Sequence, residues 1–207
     1  MRSFGIPKHK LVGLVVLACA GSLGLYVLSI MWRVSIAEQK YFGSSRLIPL
    51  SLHKQALNEP PTPDSYSSGT TRFVRDGKTV VVYKQLVNSY QHAYGSALAS
   101  YEIGSKAADY LFRCNEYAEF IFGSQRALPD NWLDTKKDLA NNASGRKIGS
   151  AARKLKLSGA NADLFMQRET LQALEDGRVI DHFRNPRVQS LPEPNVSCPG
   201  LQILAGR

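Results

Sequence analysis

The chain has 207 residues and a formal net charge of +9, with 43% apolar and 21% charged residues. This length suits one domain with additional terminal segments, and the apolar content is too high for a wholly disordered chain. Three cysteines are too few for a disulfide framework, and no cysteine–histidine pair has zinc-finger spacing. We therefore expect a small globular protein and predict neither a metal nor a cofactor.

The clearest signal lies at the N-terminus, where an apolar segment follows a basic leader. Leu11–Trp32 comprises 22 residues without a formal charge, and residues 1–10 contain Arg2, Lys8 and Lys10 but no acid. About 20 apolar residues in a helix span the ~30 Å hydrocarbon core of a bilayer. We predict a cytoplasmic leader at 1–10 and an uncleaved transmembrane signal anchor at 11–32, with the excess of Lys and Arg on the cytoplasmic side.

Three alternatives to a signal anchor fit the segment less well. A cleaved signal peptide has an apolar core of about 7–15 residues, whereas this run continues past Ala18 and Ala20. Lipid attachment at Cys19 would normally be followed by a polar tether, but apolar residues follow it here. A buried soluble helix that is apolar on all sides is uncommon in so small a protein. The rest of the chain is therefore expected in the periplasm, on the outer side of a bacterial inner membrane.

Residues 33–70 are typical of a flexible tether, because the stretch 58–71 is rich in proline, serine and threonine. A recruitment motif for a proline-binding domain is the alternative interpretation. Asp76 and Gly77 then lie between β-branched and aromatic residues, which predicts a β-hairpin because a type I′ turn needs positive φ at both central positions.

Apolar periodicity predicts four helices after the hairpin. They are expected at about 88–103, 105–122, 135–157 and 160–175, with Gly104, Gly123 and Gly177 as stop signals and a turn at Pro129–Trp132. The predicted fold class is mainly α: an N-terminal transmembrane helix, a flexible tether, and a small helical bundle with a leading β-hairpin. The bundle is assigned to 71–185 and an irregular tail to 186–207.

Two glycines in the third helix indicate a close helix contact. Gly145 and Gly149 are four residues apart, so they share one face of the helix. Each costs about 1 kcal/mol of helix propensity relative to alanine. We expect a second backbone to approach this face, where only small residues fit.

Polar residues drawn from three helices form the candidate site. They comprise a histidine, carboxylates, amides and an arginine: His92, Glu116, Asp138, Asn141, Asn142 and Arg146. Two interpretations stay open, a catalytic pocket and a buried network that stabilises the bundle. Arg146 is expected to turn inward and to pair with Glu116, or alternatively with Asp138, because a bidentate ion pair is the cheapest way to bury either charge.

A basic segment follows these residues. Between Asp138 and Asp163 there are five bases and no acid. The candidate anion-binding residues are Lys147, Arg153 and Lys154, in the basic helix 146–156; a solvated helix face is the alternative interpretation. Aromatic stacking and groove-reading motifs are missing from the sequence, so no nucleic acid is expected as a partner. The expected partners are the lipid bilayer and another membrane or envelope protein.

Cys114 falls on an apolar helix stripe, which favours a buried thiol. In an oxidising compartment a Cys114–Cys198 disulfide is the alternative, and it would pin the tail to the bundle.

The segment 88–180 resembles an uncharacterised bacterial helical domain found at the C-terminal ends of secreted, wall-associated and toxin-like proteins. The resemblance rests on Gln91–Leu98, Asn115–Glu116, Asp138–Arg146 and Ala173–Gly177. The family pattern has His-Ala-Tyr, then His-Glu, then Asp-Leu-His-Asn-Asn-x-x-Gly-Arg. When this pattern is applied to the chain, it points to the six candidate residues and Gly145.

The chain departs from this pattern at two histidines. Asn115 stands in the His-Glu pair and Ala140 replaces the third histidine, and neither side chain titrates near neutral pH. We therefore expect a binding or assembly role for the periplasmic domain. A membrane-tethered hydrolase related to toxin domains is the alternative, and a membrane-anchored lysin is a third, although no lysozyme-like carboxylate arrangement is evident.

Overall fold

A computed structural model describes the backbone of residues 8–42, 70–75, 78–122 and 128–193, and the side chains of 21–42, 86–119 and 132–193. The helices are α1 (Lys8–Phe42), α2 (Lys84–Ile103), α3 (Ser105–Phe122), α4 (Leu128–Lys154), α5 (Gly159–Glu175) and α6 (Pro186–Gln189). The strands are β1 (Thr70–Arg75) and β2 (Lys78–Tyr83). The mainly α fold class is confirmed.

The two strands precede the bundle and pair antiparallel. Their register runs from Thr70 opposite Tyr83 to Arg75 opposite Lys78. Residues 76 and 77, on which the predicted turn rests, lie outside the described residues.

Helix α2 is the centre of the bundle and contacts α1, α3, α4 and α5. Its fully buried apolar side chains are Tyr90, Ala93, Tyr94, Ala97, Leu98 and Ala99. The break between α2 and α3 falls at Gly104, whose φ of +89° suits glycine, and Gly177 with φ +69° follows the end of α5. These two predicted stop signals are confirmed, and the third, Gly123, lies outside the described residues.

Helices α2 and α4 lie against each other through backbone. A Cβ atom added to Gly145 would lie 1.9 Å from the carbonyl oxygen of Ala93, and one added to Gly149 would lie 2.1 Å from that of Ala97. The close contact predicted from the two glycines is confirmed. Two serines of α2 strengthen it: Ser96 Oγ donates to Asn142 O and Ser100 Oγ donates to Arg146 O, both at 2.9 Å.

The second half of α1 is part of the bundle. Its inner face buries Ile30, Val34, Ala37 and Phe42 in the core. Arg33 forms ion pairs with Glu102 of α2 and Asp163 of α5. Residues 33–42, which the sequence assigned to a flexible tether, therefore continue the helix, because their apolar side chains fit the bundle surface. The rest of the predicted tether, residues 43–69, lies outside the described residues.

The outer face of α1 is apolar and exposed. Its side chains are Leu23, Leu25, Leu28, Met31, Trp32 and Ile36, of which Leu25 is 71% exposed. Among the helices whose side chains are described, none is both long enough and apolar enough to cross a membrane. Residues 11–20 of the predicted span are outside that set.

Two further expectations are corrected. The turn predicted at Pro129–Trp132 is the first turn of α4, since proline is tolerated there: its missing N–H would have no helical partner anyway. The tail is not irregular from Pro186 onwards, because α6 forms there. Asn185 caps it, with its side-chain oxygen accepting a hydrogen bond from Arg187 N at 3.1 Å, and Val188 is fully buried.

Cys114 of α3 forms a disulfide. The sequence left a Cys114–Cys198 bond open; Cys198 lies outside the described residues, as does the side chain of Cys19.

The contact between α2 and α4 can be tested with Gly145→Ala. The added methyl group would collide with Ala93, so we expect the free energy of unfolding to fall by about 1–3 kcal/mol or more, despite the better helix propensity of alanine. Gly24→Ala is the matched control, because no atom lies within 4 Å of its added Cβ. Urea denaturation of the full chain in detergent measures both; equal stability of the two variants would contradict the close contact.

Candidate functional site

His92 lies between two buried carboxylates from different helices. Its Nδ1 is 2.9 Å from Glu116 Oε1 of α3, and its Nε2 is 3.5 Å from Asp138 Oδ2 of α4. The histidine side chain is 12% exposed, while those of Glu116 and Asp138 are 2% and 6% exposed. Three helices thus converge on one imidazole ring.

Asn142 and Lys137 of α4 hold the two carboxylates in place. Asn142 Nδ2 donates a hydrogen bond to Glu116 Oε1 at 3.0 Å. The fully buried Lys137 ammonium lies 2.8 Å from Asp134 Oδ1 and 3.2 Å from Asp138 Oδ1. A buried charge is costly unless it is paired, and each charge of this group lies within ion-pair distance of an opposite one.

The surroundings of the site raise the pKa values of both His92 and Asp138. Burial alone would lower the pKa of His92, but the charges of Asp138 and Glu116 and the hydrogen bond to Glu116 outweigh burial and raise it to about 9. Burial raises the pKa of Asp138 to about 7, although His92 and Lys137 oppose that rise. At neutral pH His92 is therefore protonated, and Asp138 can exchange a proton.

An open pocket of about 330 Å³ begins at His92 and Asp138 and runs beneath α1. Its other lining residues are Ile30, Met31, Val34, Ser35, Glu38, Asn88, Gln91, Gly95, Phe112, Glu119 and Asp134. Glu116 is not among the lining residues, and its side chain is buried. The site therefore combines a histidine that lines the pocket, His92, with a buried carboxylate, Glu116, that does not.

Four of the six candidate residues meet in this site: His92, Glu116, Asp138 and Asn142. Asn141 lies elsewhere, although it is next to Asn142 in the chain. Its side chain accepts a hydrogen bond from Ile180 N at 2.7 Å and donates one to Ile180 O at 2.9 Å. Asn141 thus fastens the segment after α5 to α4.

The predicted partner of Arg146 was wrong. Arg146 pairs with Asp109 of α3 at 2.8 Å, and not with Glu116 or Asp138. Helices α3 and α4 run antiparallel, so two turns beyond Asp138 on α4 correspond to two turns before Glu116 on α3. Asp109 is the carboxylate at that level.

The basic segment lies on the outside. Lys147, Arg153 and Lys154 are exposed, which fits a solvated helix face. Lys147 borders a second depression that also contains Arg178 and Arg187. Anion binding by this face stays a prediction.

Several residues of the site were not singled out from the sequence. Asp134 and Lys137 are two of them: Asp134 lies four residues before the candidate Asp138 and three before Lys137, a spacing that would have placed Asp134 beside both on one helical surface. Ser35 and Glu38 had no such signal, because their segment was assigned to the tether.

The ligand atoms of His92, Glu116 and Asp138 lie within 4.8 Å of one another, which is a spacing that can hold a metal ion. However, the two carboxylates contact opposite nitrogens of the ring, so an ion bound at either nitrogen would replace one of these contacts. The Lys137 ammonium beside Asp138 also opposes a divalent cation. The arrangement suits a proton better than a metal ion.

Compared with known proteins, the chain matches no family model, no curated protein and no solved structure. The interpretation of the site therefore rests on its geometry.

The raised pKa of His92 predicts a pH dependence of stability. A folded-state pKa of about 9 lies above the unfolded value of 6.5, so the contribution of this proton is fully present below pH 6.5 and is lost as the pH rises through 9. We expect the loss to be on the order of 3 kcal/mol in the free energy of unfolding. The raised pKa of Asp138 acts in the same direction from pH 3.8 to about 7.

The measurement is urea denaturation across this pH range, for the native chain and for His92→Gln. The substituted chain should lose much less stability between pH 6.5 and 9 than the native chain. Parallel curves for the two proteins would show that His92 does not hold an extra proton.

Proposed function

We propose that this is a single-pass membrane protein of a bacterial inner membrane, with its helical bundle in the periplasm and a binding site in the pocket beneath α1. The observation that carries the binding role is the open pocket with His92 held between Glu116 and Asp138. Its lining combines charged, polar and apolar groups, as small-molecule sites generally do.

The membrane location is supported by the sequence and by the surface of α1. The uncharged segment Leu11–Trp32 follows a basic leader. From residue 26 onwards one side of this helix packs on the bundle, while the outer face with Leu25, Leu28 and Trp32 is apolar and exposed. Exposed apolar patches of this kind are typical of membrane or protein contacts. That face supports placing this side of the bundle at the membrane.

A membrane-tethered hydrolase is the second candidate. The observation in its favour is the pair of His92 and Asp138, which line the pocket with pKa values of about 9 and about 7. Such a pair can donate and accept protons near neutral pH, as general acid–base catalysis requires. The resemblance to a domain of toxin-like proteins also agrees with it.

The topology can be tested with reporter fusions and N-terminal sequencing. Fusions placed after residue 70 should be active only in the periplasm, and the mature protein should retain Leu11–Trp32, because the positive charges precede the span. Activity of these fusions only in the cytoplasm would reverse the orientation. A mature N-terminus near Ala20 would rule out the anchor.

The binding site can be tested by screening small-molecule fragments against the full chain in detergent. Gln91→Trp fills the pocket, and Gln189→Trp on the exposed surface is the matched control. Fragments that bind the native chain should bind the control and should fail to bind Gln91→Trp. Binding that is unaffected by the filled pocket, or no binding at all, would contradict the proposal.

Measuring whether the protein hydrolyses the bound fragments distinguishes the binding role from the hydrolase. Hydrolysis of ester or amide fragments that falls by about 10² to 10⁴ in His92→Gln would favour the hydrolase.

A further inference from the structure

Helix α1 contributes a buried polar side chain, Ser35, to the wall of the pocket. Ser35 lines the pocket and is only 1% exposed, yet its Oγ makes no hydrogen bond within the described residues. Buried hydroxyl groups are normally hydrogen-bonded, so an unpaired one in a pocket wall points to a group that enters from the pocket.

The charged side chains that line the pocket indicate the charge of the group that enters it. Four carboxylates line the pocket, namely Glu38, Glu119, Asp134 and Asp138, and His92 is the one basic side chain among the described lining residues. Lys137, which is not a lining residue, neutralises part of this charge by forming ion pairs with Asp134 and Asp138. Counted over the described lining residues, the pocket is thus acidic within a protein whose net charge is +9. Opposite charge in a partly dehydrated cleft favours a cation.

The other end of the pocket is apolar. Ile30, Val34 and Phe112 line it, and a Cβ atom added to Gly95 would lie within 3.5–3.7 Å of all three. On α1 the apolar Met31 and Val34 lead to Ser35 and then to Glu38 at helical spacing, so one face passes from apolar to acidic. A bare metal ion would leave this apolar end empty.

We propose that the pocket binds an organic ammonium ion that carries an apolar arm, with its N–H groups donating to Ser35 Oγ and to the Glu38 carboxylate. The apolar arm lies along Ile30, Val34 and Phe112. This proposal rests on the binding role proposed above and names its ligand class. Because Ser35 and Glu38 are three residues apart on α1, both face the same cation.

The test uses isothermal titration calorimetry of the full chain in detergent with three probes of similar shape. They are 2-phenylethylammonium, the neutral 2-phenylethanol and the anionic 3-phenylpropionate. The ammonium should bind about tenfold or more tightly than the alcohol, because a charged donor adds hydrogen bonds and charge attraction. The carboxylate should not bind measurably.

Two substitutions locate the contact. Glu38→Gln should weaken ammonium binding by about tenfold or more, and Ser35→Ala by about three- to tenfold, without a change in binding of the alcohol. The matched controls are Glu175→Gln and Ser158→Ala, both exposed and distant from the lining, which should bind as the native chain does. Thermal melts confirm that the variants fold; if Glu38→Gln does not fold, Ser35→Ala alone decides the contact.

Three outcomes would overturn the proposal: equal binding of ammonium and alcohol, unchanged ammonium binding in Ser35→Ala, or no ammonium binding. In the last case a titration with zinc chloride shows whether the pocket binds a metal ion instead. If uncharged or anionic fragments still bind the native chain and fail to bind Gln91→Trp, the pocket is a binding site for another ligand class. The proposed function then stands while the ammonium proposal falls.

Discussion

The contact between the backbones of α2 and α4 determines where every other part of the site lies. Gly145 and Gly149 leave no room for a side chain between the helices, so the distance between α2 and α4 is set by main-chain atoms. His92 directly precedes Ala93, the residue that Gly145 touches, and Asn142 lies one turn before Gly145. A contact made of backbone cannot adapt through rotamer changes, so the site inherits a fixed geometry.

The buried charges explain why this geometry is needed. His92, Lys137 and their carboxylate partners would each be costly alone in the bundle, and together they satisfy one another. Such a network contributes little net stability compared with apolar packing, but few other arrangements of the helices would keep all of its charges paired. The two interpretations left open by the sequence, a pocket and a buried network, therefore describe the two sides of one site. Glu116 and Lys137 belong to its sealed side, and His92 and Asp138 reach the open side.

Features that depend on residue spacing within one helix were predicted correctly from the sequence. The pairing of side chains between helices and the packing of α1 on the bundle were not. Helices α2, α3 and α5 follow from periodicity, the ends of α2 and α5 from their glycines, and the glycine pair of α4 indicated its close neighbour. The register between α3 and α4 is not encoded in the spacing of either helix, so the partner of Arg146 was assigned two turns away from Asp109. An apolar run also looks the same whether lipid or protein covers it, so the packing of residues 26–32 on the bundle was not recognised. Residues 33–42 include Arg33, Glu38 and Lys40 and were therefore assigned to the tether.

The ion pairs of Arg33 have a consequence for the pocket two residues further along α1. They fix the helix lengthwise, because Glu102 and Asp163 belong to two different helices of the bundle. A displacement of α1 by one turn, about 5.4 Å, would break both pairs and bring either Met31 or Gln39 to the place of Ser35. The axial position of one helix therefore decides whether a hydroxyl, a thioether or an amide faces the interior of the pocket.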